Sequence, residues 1–383
     1  MFSLEFTEIQ EAIRDTARKF AQEEILPSVI ERDIKAEFPR EIVNKLGELG
    51  FLGMMVSEDW GGSGLDTISY VLAIEEIAKV DASVAIVLSV QNSLVNWILE
   101  HYASDFLKEK YLRTLAGGKI GVFCLSEPEA GSDASHEYTS ADYSDGFWIL
   151  NGTKNWVSTG RNADFYIVFA QTSQELKHKG IGCFLIEKGT EGFVPAEKED
   201  KMGMRSSDTC SIGLTNCKVP EENVIGYVGQ GYRIAMESLN GGRIGIAAQS
   251  VGVAQGAYER AVKYAKERVT FGKPIIRHQM ILSKLATMST KINAARLMVL
   301  KAAYLKDTHQ NYVQASAEAK FFASTIANEV TREAVQIHGG YGYVREYHVE
   351  RMMRDAKVLE IYEGTSEMQQ IVIARELEKT FSD

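Results

Sequence analysis

Apolar residues recur every three or four positions from Thr7 to about Gly117, as in Ile13, Ala17, Phe20 and Ala21, and again in Leu72, Ile74, Ile77 and Ala78. That period predicts helices with a buried face. Breaks are expected at Pro27, at Pro39 and at Gly61-Gly62-Ser63-Gly64, which reads as a turn between helices. The apolar run from Ser83 to Val90 fits a strand or a buried helix by periodicity alone; its small residues and its helical flanks predict the helix. Between Lys119 and about Val228 the period changes. Phe147 to Leu150, Phe165 to Phe169 and Cys183 to Ile186 are short β-rich runs, with turn signals at Asn151-Gly152 and Lys179-Gly180. Strands that follow one another without intervening helices predict an antiparallel barrel or sandwich, not a doubly wound sheet. From Gly231 onward only Pro274 interrupts, and Leu285, Met288, Ile292, Ala295 and Val299 step along one helix face. The expected fold is therefore α+β and multi-domain: a helical region at 1–118, a β region at 119–229 and a C-terminal four-helix bundle at 230–383.

A chain of 383 residues, 45% hydrophobic and 25% charged, can fill three such cores, so a disordered class is excluded. The net charge of -10 disfavours nucleic acid and anionic membrane as general partners, and an anionic ligand would need local positive charge. Four cysteines, Cys124, Cys183, Cys210 and Cys217, show neither CxxC spacing nor a histidine cluster, so they read as reduced packing residues without a metal. No apolar run approaches the roughly 18 residues that suggest a membrane span. The first residues, Met1 to Glu8, carry early acids and no presequence pattern, which points to a complete protein of the bacterial cytoplasm, or of the mitochondrial matrix if a presequence was removed.

The segment Ile361-Tyr362-Glu363-Gly364-Thr365 sets one carboxylate between an aromatic ring and a glycine, just before a helix that Thr365 or Ser366 can cap. Desolvation there would raise the carboxyl pKa and strengthen the base, while the helix dipole pulls the other way. The plainer reading is a solvated turn. Cys124-Leu125-Ser126-Glu127-Pro128, running on to Gly131, Ser132 and Asp133, offers backbone donors and hydroxyls that suit a heterocycle and a pyrophosphate, or is a structural loop. Trp156 can stack on a ring or fill a core. Asn240-Gly241-Gly242-Arg243 interrupts a helical pattern with two glycines and a fixed cation. Arg268 to Gly272, His278-Gln279 and Gln336 to Gly342 are polar and glycine-rich helix ends, with His338 reading as packed or capping. GxGxxG and Walker loops are absent.

Taken in this order, these motifs resemble the acyl-CoA dehydrogenases over nearly the whole chain. The resemblance implies an FAD enzyme that introduces a trans α,β double bond into acyl-CoA thioesters, with Glu363 removing the α-proton while hydride passes to flavin N5. It implies flavin contacts from Phe123, Cys124, Leu125, Ser126, Gly131 and Ser132, and from Trp156, Val157 and Ser158. Arg268, Thr270, Phe271, His278 and Gln279, with Gln336, Ile337, His338, Gly339 and Gly340, match segments that reach the FAD of a neighbouring subunit. Thr365, Ser366 and Glu367 complete the cofactor site, while Ser132, Asn240, Gly241, Gly242, Arg243, Tyr362 and Gly364 match substrate positions. A branch of the family carries its glutamate where Gly242 stands, which favours Glu363 here. Asn240, where many relatives have aspartate, and His136 depart from the pattern. Gln91 to Leu94, Lys198 to Gly203 and Arg243 to Ala247 resemble the short-chain, butyryl-type branch. A homotetramer and an electron-transfer flavoprotein as acceptor are implied. The alternatives are a short branched-chain dehydrogenase, an acyl-CoA oxidase, and a non-catalytic nucleic-acid-binding or scaffold member of the fold.

Overall fold

The structure, a computed structural model, describes residues 5–381, so the reading of Met1 to Leu4 lies outside the described residues. The first helices are α1 (Glu8–Phe20), α2 (Val29–Lys35), α3 (Arg40–Glu48), α4 (Thr67–Ala78), α5 (Ala82–Val90), α6 (Trp97–Tyr102), α7 (Asp105–Leu107) and α8 (Arg113–Ala116). Thr7 starts α1 through a reciprocal capping box with Gln10, and Asp66 and Asp81 cap α4 and α5 by accepting the N–H groups of Ser69 and Ser83. Because α4 and α5 are apolar on nearly every side, they are buried on nearly every side. The helix expected at Ser83 to Val90 is the core of α5.

From α5 the chain passes through one π turn, Gln91–Asn96, into α6, giving a continuous rod from Ala82 to Tyr102. At 21 residues and a mean hydropathy of 1.5 this rod is long and apolar enough to cross a membrane, which corrects the expectation that no such run exists. It is 89% buried within the fold, the environment of a core helix. The wide turn frees polar side chains to bind backbone elsewhere. Asn92 donates to the Phe51 carbonyl at 2.9 Å and accepts Met54 N–H at 2.9 Å, while Gln91 accepts Gly121 N–H at 2.8 Å.

Seven strands follow: β1 (Gly121–Cys124), β2 (Ser140–Ser144), β3 (Phe147–Ser158), β4 (Phe165–Gln171), β5 (Ile181–Glu187), β6 (Phe193–Lys198) and β7 (Thr209–Pro220). They form one sheet in the order β1-β4-β2-β3-β7-β6, with β5 paired to β4. Most pairs are antiparallel, as predicted, but β1 and β2 each run parallel to β4. Asn151-Gly152 is not a turn: it lies inside β3, where the register against β7 shifts. A second shift between Lys154 and Val157 leaves Trp156 at φ +58 with its indole 61% exposed. Such bulges re-aim a side chain.

The C-terminal helices are α9 (Gly231–Glu267), α10 (Gln279–Asp307), α11 (Val313–His338), α12 (Val349–Ala356) and α13 (Ser366–Phe381). Contrary to the pattern, α9 runs unbroken through Gly241 and Gly242, and helices stop at 308–312, 339–348 and 357–365 as well as at Pro274. Helix α9 packs along α4, α10 and α11. A Cβ on Gly252 would lie 2.5 Å from the Glu75 carbonyl, and one on Gly256 would collide with the Lys79 carbonyl. The three regions meet at Asp355, which accepts Arg351 Nη1 at 2.8 Å and Met204 N–H at 2.5 Å, while Arg351 Nη2 donates to the Val80 carbonyl at 2.7 Å. Gly256→Ala should force α4 away from α9 and lower the thermal midpoint in calorimetry, by the equivalent of about 1–3 kcal/mol.

Candidate active site

The loop before α13 reverses sharply. Ile361 and Tyr362 N–H groups donate to the Val358 carbonyl, and then Glu363 takes φ +51 and Gly364 φ +90. Left-handed backbone costs a residue with a side chain about 1–3 kcal/mol, so it persists where the surroundings fix it. Here Lys320 Nζ donates to the Gly364 carbonyl at 2.7 Å, and Gln369 Nε2 donates to the carbonyls of Gly364 at 2.8 Å and Glu363 at 3.2 Å. Thr365 accepts Met368 N–H at 3.4 Å and caps α13, as predicted.

The reversal presses the Glu363 side chain onto α9 at Gly242. A Cβ there would collide with Glu363 Oε2 and lie 3.0 Å from Leu94 on the π turn, so a side chain at Gly242 and this placement of Glu363 exclude each other. Both Glu363 carboxylate oxygens are buried and have no hydrogen-bond partner among the described residues. Burial pushes the Glu363 pKa up to about 7, against the pull of the nearby Lys320 and Arg243 charges. The Arg243 guanidinium is itself buried, held lower than usual by desolvation, and its Nη1 donates to Asn240 Oδ1 at 2.7 Å. The amide at position 240 thus accepts from Arg243 as a carboxylate would. Tyr362 donates to Gln249 Oε1 at 2.5 Å, and Tyr70 donates to Ser89 at 3.1 Å. A partnerless carboxyl that half-ionises near neutrality in a dry wall is suited to taking a proton from carbon.

On the β side, Lys154 lies wholly inside the sheet and clamps the loop after β1: its Nζ donates to the Leu125 carbonyl at 3.0 Å and pairs with Glu127 at 2.7 Å and Glu137 at 3.1 Å. Burial works against the charge on Glu127, but Lys154 outweighs it and holds that carboxyl below its usual range; Glu137, the less well compensated, is pushed up to about 7. Cys124, Leu125 and Val157 point into the core, so what they offer a ligand is main chain. Space is open around Gly131. His136 is exposed and pairs with Asp133 at 2.7 Å.

The remaining predicted residues lie elsewhere on the helical domain. Arg268 caps the end of α9 and covers the Tyr341 ring at 5.6 Å. Thr270 opens a small hairpin, its carbonyl 3.2 Å from His278 Nε2, and Phe271 at φ +49 is 95% exposed. The His338 ring is buried, bonded to the Ala334 carbonyl at 2.7 Å and stacked on Tyr264 at 4.4 Å. Its ring is therefore spent inside the chain, in keeping with the packed or capping reading; Gly339 and Gly340 beside it leave open space. Among the described residues no group of three or more His, Cys, Asp or Glu could hold a metal ion. The sequence reading missed Lys320, Gln369 and Lys154. A signal existed for Lys320: it interrupts a face of small residues, Ser316, Ala323, Ser324 and Ala327, at helical spacing.

Family models describe the chain from end to end: acyl-CoA dehydrogenase N-terminal domain at residues 7–119, middle domain at 122–217 and C-terminal domain at 229–378. This chain belongs to the acyl-CoA dehydrogenase family. A short-chain specific acyl-CoA dehydrogenase of Megasphaera elsdenii is 46% identical across 96% of this chain and 97% of that protein. The solved butyryl-CoA dehydrogenase from that organism is 45% identical with a TM-score of 0.97, over 98% of this chain and all of the other. A chain solved in work on the electron transferring flavoprotein of Acidaminococcus fermentans is 46% identical, with a TM-score of 0.97 over 98% of this chain and 99% of that one. A glutaryl-CoA dehydrogenase from Mycobacterium smegmatis, solved with FADH2, is 31% identical with a TM-score of 0.93 over 98% and 95% of the two chains.

An acyl-CoA dehydrogenase uses FAD, and the residues present fit it. The exposed indole of Trp156 offers a stacking plane, and the open backbone at Gly131, Gly339 and Gly340 offers room for a ligand to approach main chain. The raised Glu363 pKa also predicts a stability effect. Its protonated form is favoured in the folded state, so its contribution is fully present below the ordinary value of 4.5 and is lost as pH rises through about 7. Glu363→Gln does not ionise and should unfold at a higher temperature than the parent at pH 8, with the gap closing at pH 5 in calorimetry.

Proposed function

We propose that this acyl-CoA dehydrogenase oxidises short-chain, butyryl-like acyl-CoA to the trans-2-enoyl-CoA, with Glu363 as the α-proton base and electron-transfer flavoprotein as the acceptor. The observation that carries the reading is the Glu363 carboxyl group, sealed without a partner against Gly242 and half-ionised near pH 7. Bound FAD supplies the acceptor for the β-hydride. The chain supplies the rest. An α-carbon next to a thioester is a weak acid, so the base must be strong and the enolate-like charge on the carbonyl oxygen must meet donors. Dehydration makes Glu363 a stronger base than a solvated glutamate. Its own N–H is the backbone donor assigned to the thioester carbonyl, so one residue both takes the proton and steadies the resulting charge. Arg243 and Lys320 keep enough positive charge nearby for the carboxylate to form.

The likeness to the short-chain and butyryl-CoA enzymes supports the chain length. Leu94, brought against Gly242 by the π turn, is assigned to the acyl wall. The exposed Phe271 and the open Gly339-Gly340 backbone suit contact with a second subunit's FAD, in a homotetramer. The likeness to the chain from the Acidaminococcus work supports the acceptor. The compartment is the bacterial cytoplasm, or the mitochondrial matrix behind a removed presequence.

Anaerobic butyryl-CoA should bleach the flavin band of the purified protein faster than isobutyryl-, 2-methylbutyryl- or octanoyl-CoA. A flavin that no acyl-CoA reduces would defeat the reading, and fast reoxidation by oxygen would move it to an oxidase. Because the base acts in its ionised form, turnover should rise with pH through about 7. Glu363→Gln should keep flavin and acyl-CoA binding and lose at least about a hundredfold in turnover, in line with the usual worth of a positioned base.

A further inference from the structure

Lys320 sits in the middle of α11 with no exposed surface, among Ser316, Ala323 and Ser324. Burying an ammonium is costly, and an apolar chain of the same length would fill the space without that cost. What a lysine adds is a donor and a charge. The donor goes to the Gly364 carbonyl at 2.7 Å, which Gln369 also reaches from α13 at 2.8 Å. The charge acts on Glu363, one residue away, across a region with little water.

We propose that Lys320 is a positioning residue for the base: its bond to the Gly364 carbonyl fixes the left-handed turn at Glu363 and Gly364, and its charge holds the carboxylate of Glu363 against Gly242. This rests on Glu363 acting as the base. The two bonds on one carbonyl explain how a non-glycine residue stays at φ +51 beside the reacting position. Other groups near the pair come from every neighbouring element. Arg243 faces them from α9, Tyr70 from α4, Tyr362 and Glu360 from the loop and Glu367 from α13. Glu360 is paired with Lys357 at 2.7 Å, and both tyrosines are held neutral by burial. From α10, Lys306 Nζ comes within 3.4 Å of where a Cβ on Gly241 would stand, and burial pushes its pKa down to about 8. Among the described residues Lys320 and Arg243 are the cations whose charge acts on the Glu363 carboxylate, and of these two only Lys320 bonds its loop.

The test is made on the flavin-loaded protein with Lys320→Met and Lys320→Arg. The carboxyl infrared band that vanishes in Glu363→Gln is titrated in each, and the pH profile of turnover on butyryl-CoA, KM, flavin content and thermal midpoint are measured beside it. In Lys320→Met the titration midpoint should rise by about one unit. Turnover at pH 7 should fall about fivefold and recover at higher pH, with KM and flavin content little changed. Lys320→Arg, which keeps the charge and a donor, should move the midpoint back. A Lys320→Met protein with the parent midpoint and pH profile overturns the proposal, as does a loss of turnover equal at every pH with the midpoint unmoved. Should Lys320→Met not fold, Lys320→Gln decides the matter by the same titration: a raised midpoint upholds the role and an unmoved one refutes it. The infrared titration needs no turnover, so a protein that oxidises no acyl-CoA would defeat the proposed function while the role of Lys320 is still read separately.

Discussion

A buried carboxyl group pressed against α9 at Gly242, with no hydrogen-bond partner among the described residues, is the constraint around which this molecule is arranged. Leaving such a group unpaired in a dry interior is costly, and the cost is what raises the Glu363 pKa toward neutrality. The surrounding structure keeps that state from relaxing. Were the loop free to swing, the carboxylate would find water or an ammonium and lose its basicity. Lys320 and Gln369 bond the loop through its carbonyls, so the backbone is fixed while the carboxylate oxygens stay unbonded.

The loop after β1 is held in a comparable way, again by a buried lysine that donates to a main-chain carbonyl. Lys154 is buried beneath the loop after β1 and holds it through the Leu125 carbonyl and Glu127. Glu127 in turn accepts the N–H groups of Tyr138 at 2.7 Å and Thr139 at 3.0 Å, so one ion pair fixes both ends of the loop. The register shift immediately after Lys154 then turns Trp156 outward. One short stretch of β3 therefore anchors the loop from inside and presents an aromatic plane outside, because residues on either side of a bulge no longer alternate as in a regular strand.

Steric exclusion at Gly242 couples α9 to the 357–365 loop. A side chain on α9 at this position and Glu363 as it is placed here would occupy the same space. The glycines of α9 serve the fold in a similar way further along, where Gly252 and Gly256 let α4 approach closely enough for helix backbone to meet helix backbone. They lower intrinsic helix propensity, and the packing they permit outweighs that loss.

Local pattern alone was enough for the helical, β and helical order and for the buried α5, because periodicity and turn chemistry are properties of neighbouring residues; for Glu363 it favoured a solvated turn, and only the family resemblance singled out that carboxylate. It failed where the same local signal has two tertiary outcomes. Asn151-Gly152 reads as a turn but is a bulge inside a strand paired on both sides, and Gly241-Gly242 reads as a break but is a close approach inside an unbroken helix. The motifs also made the family legible, since their order along the chain is written in the sequence. Only the tertiary structure decided that Trp156 faces solvent, that the His338 ring is spent on Tyr264, and that Lys320, 43 residues before Glu363, reaches the carbonyl beside it. Sequence spacing carries no measure of burial or of contact between distant segments, and the basicity of Glu363 is set by those two quantities.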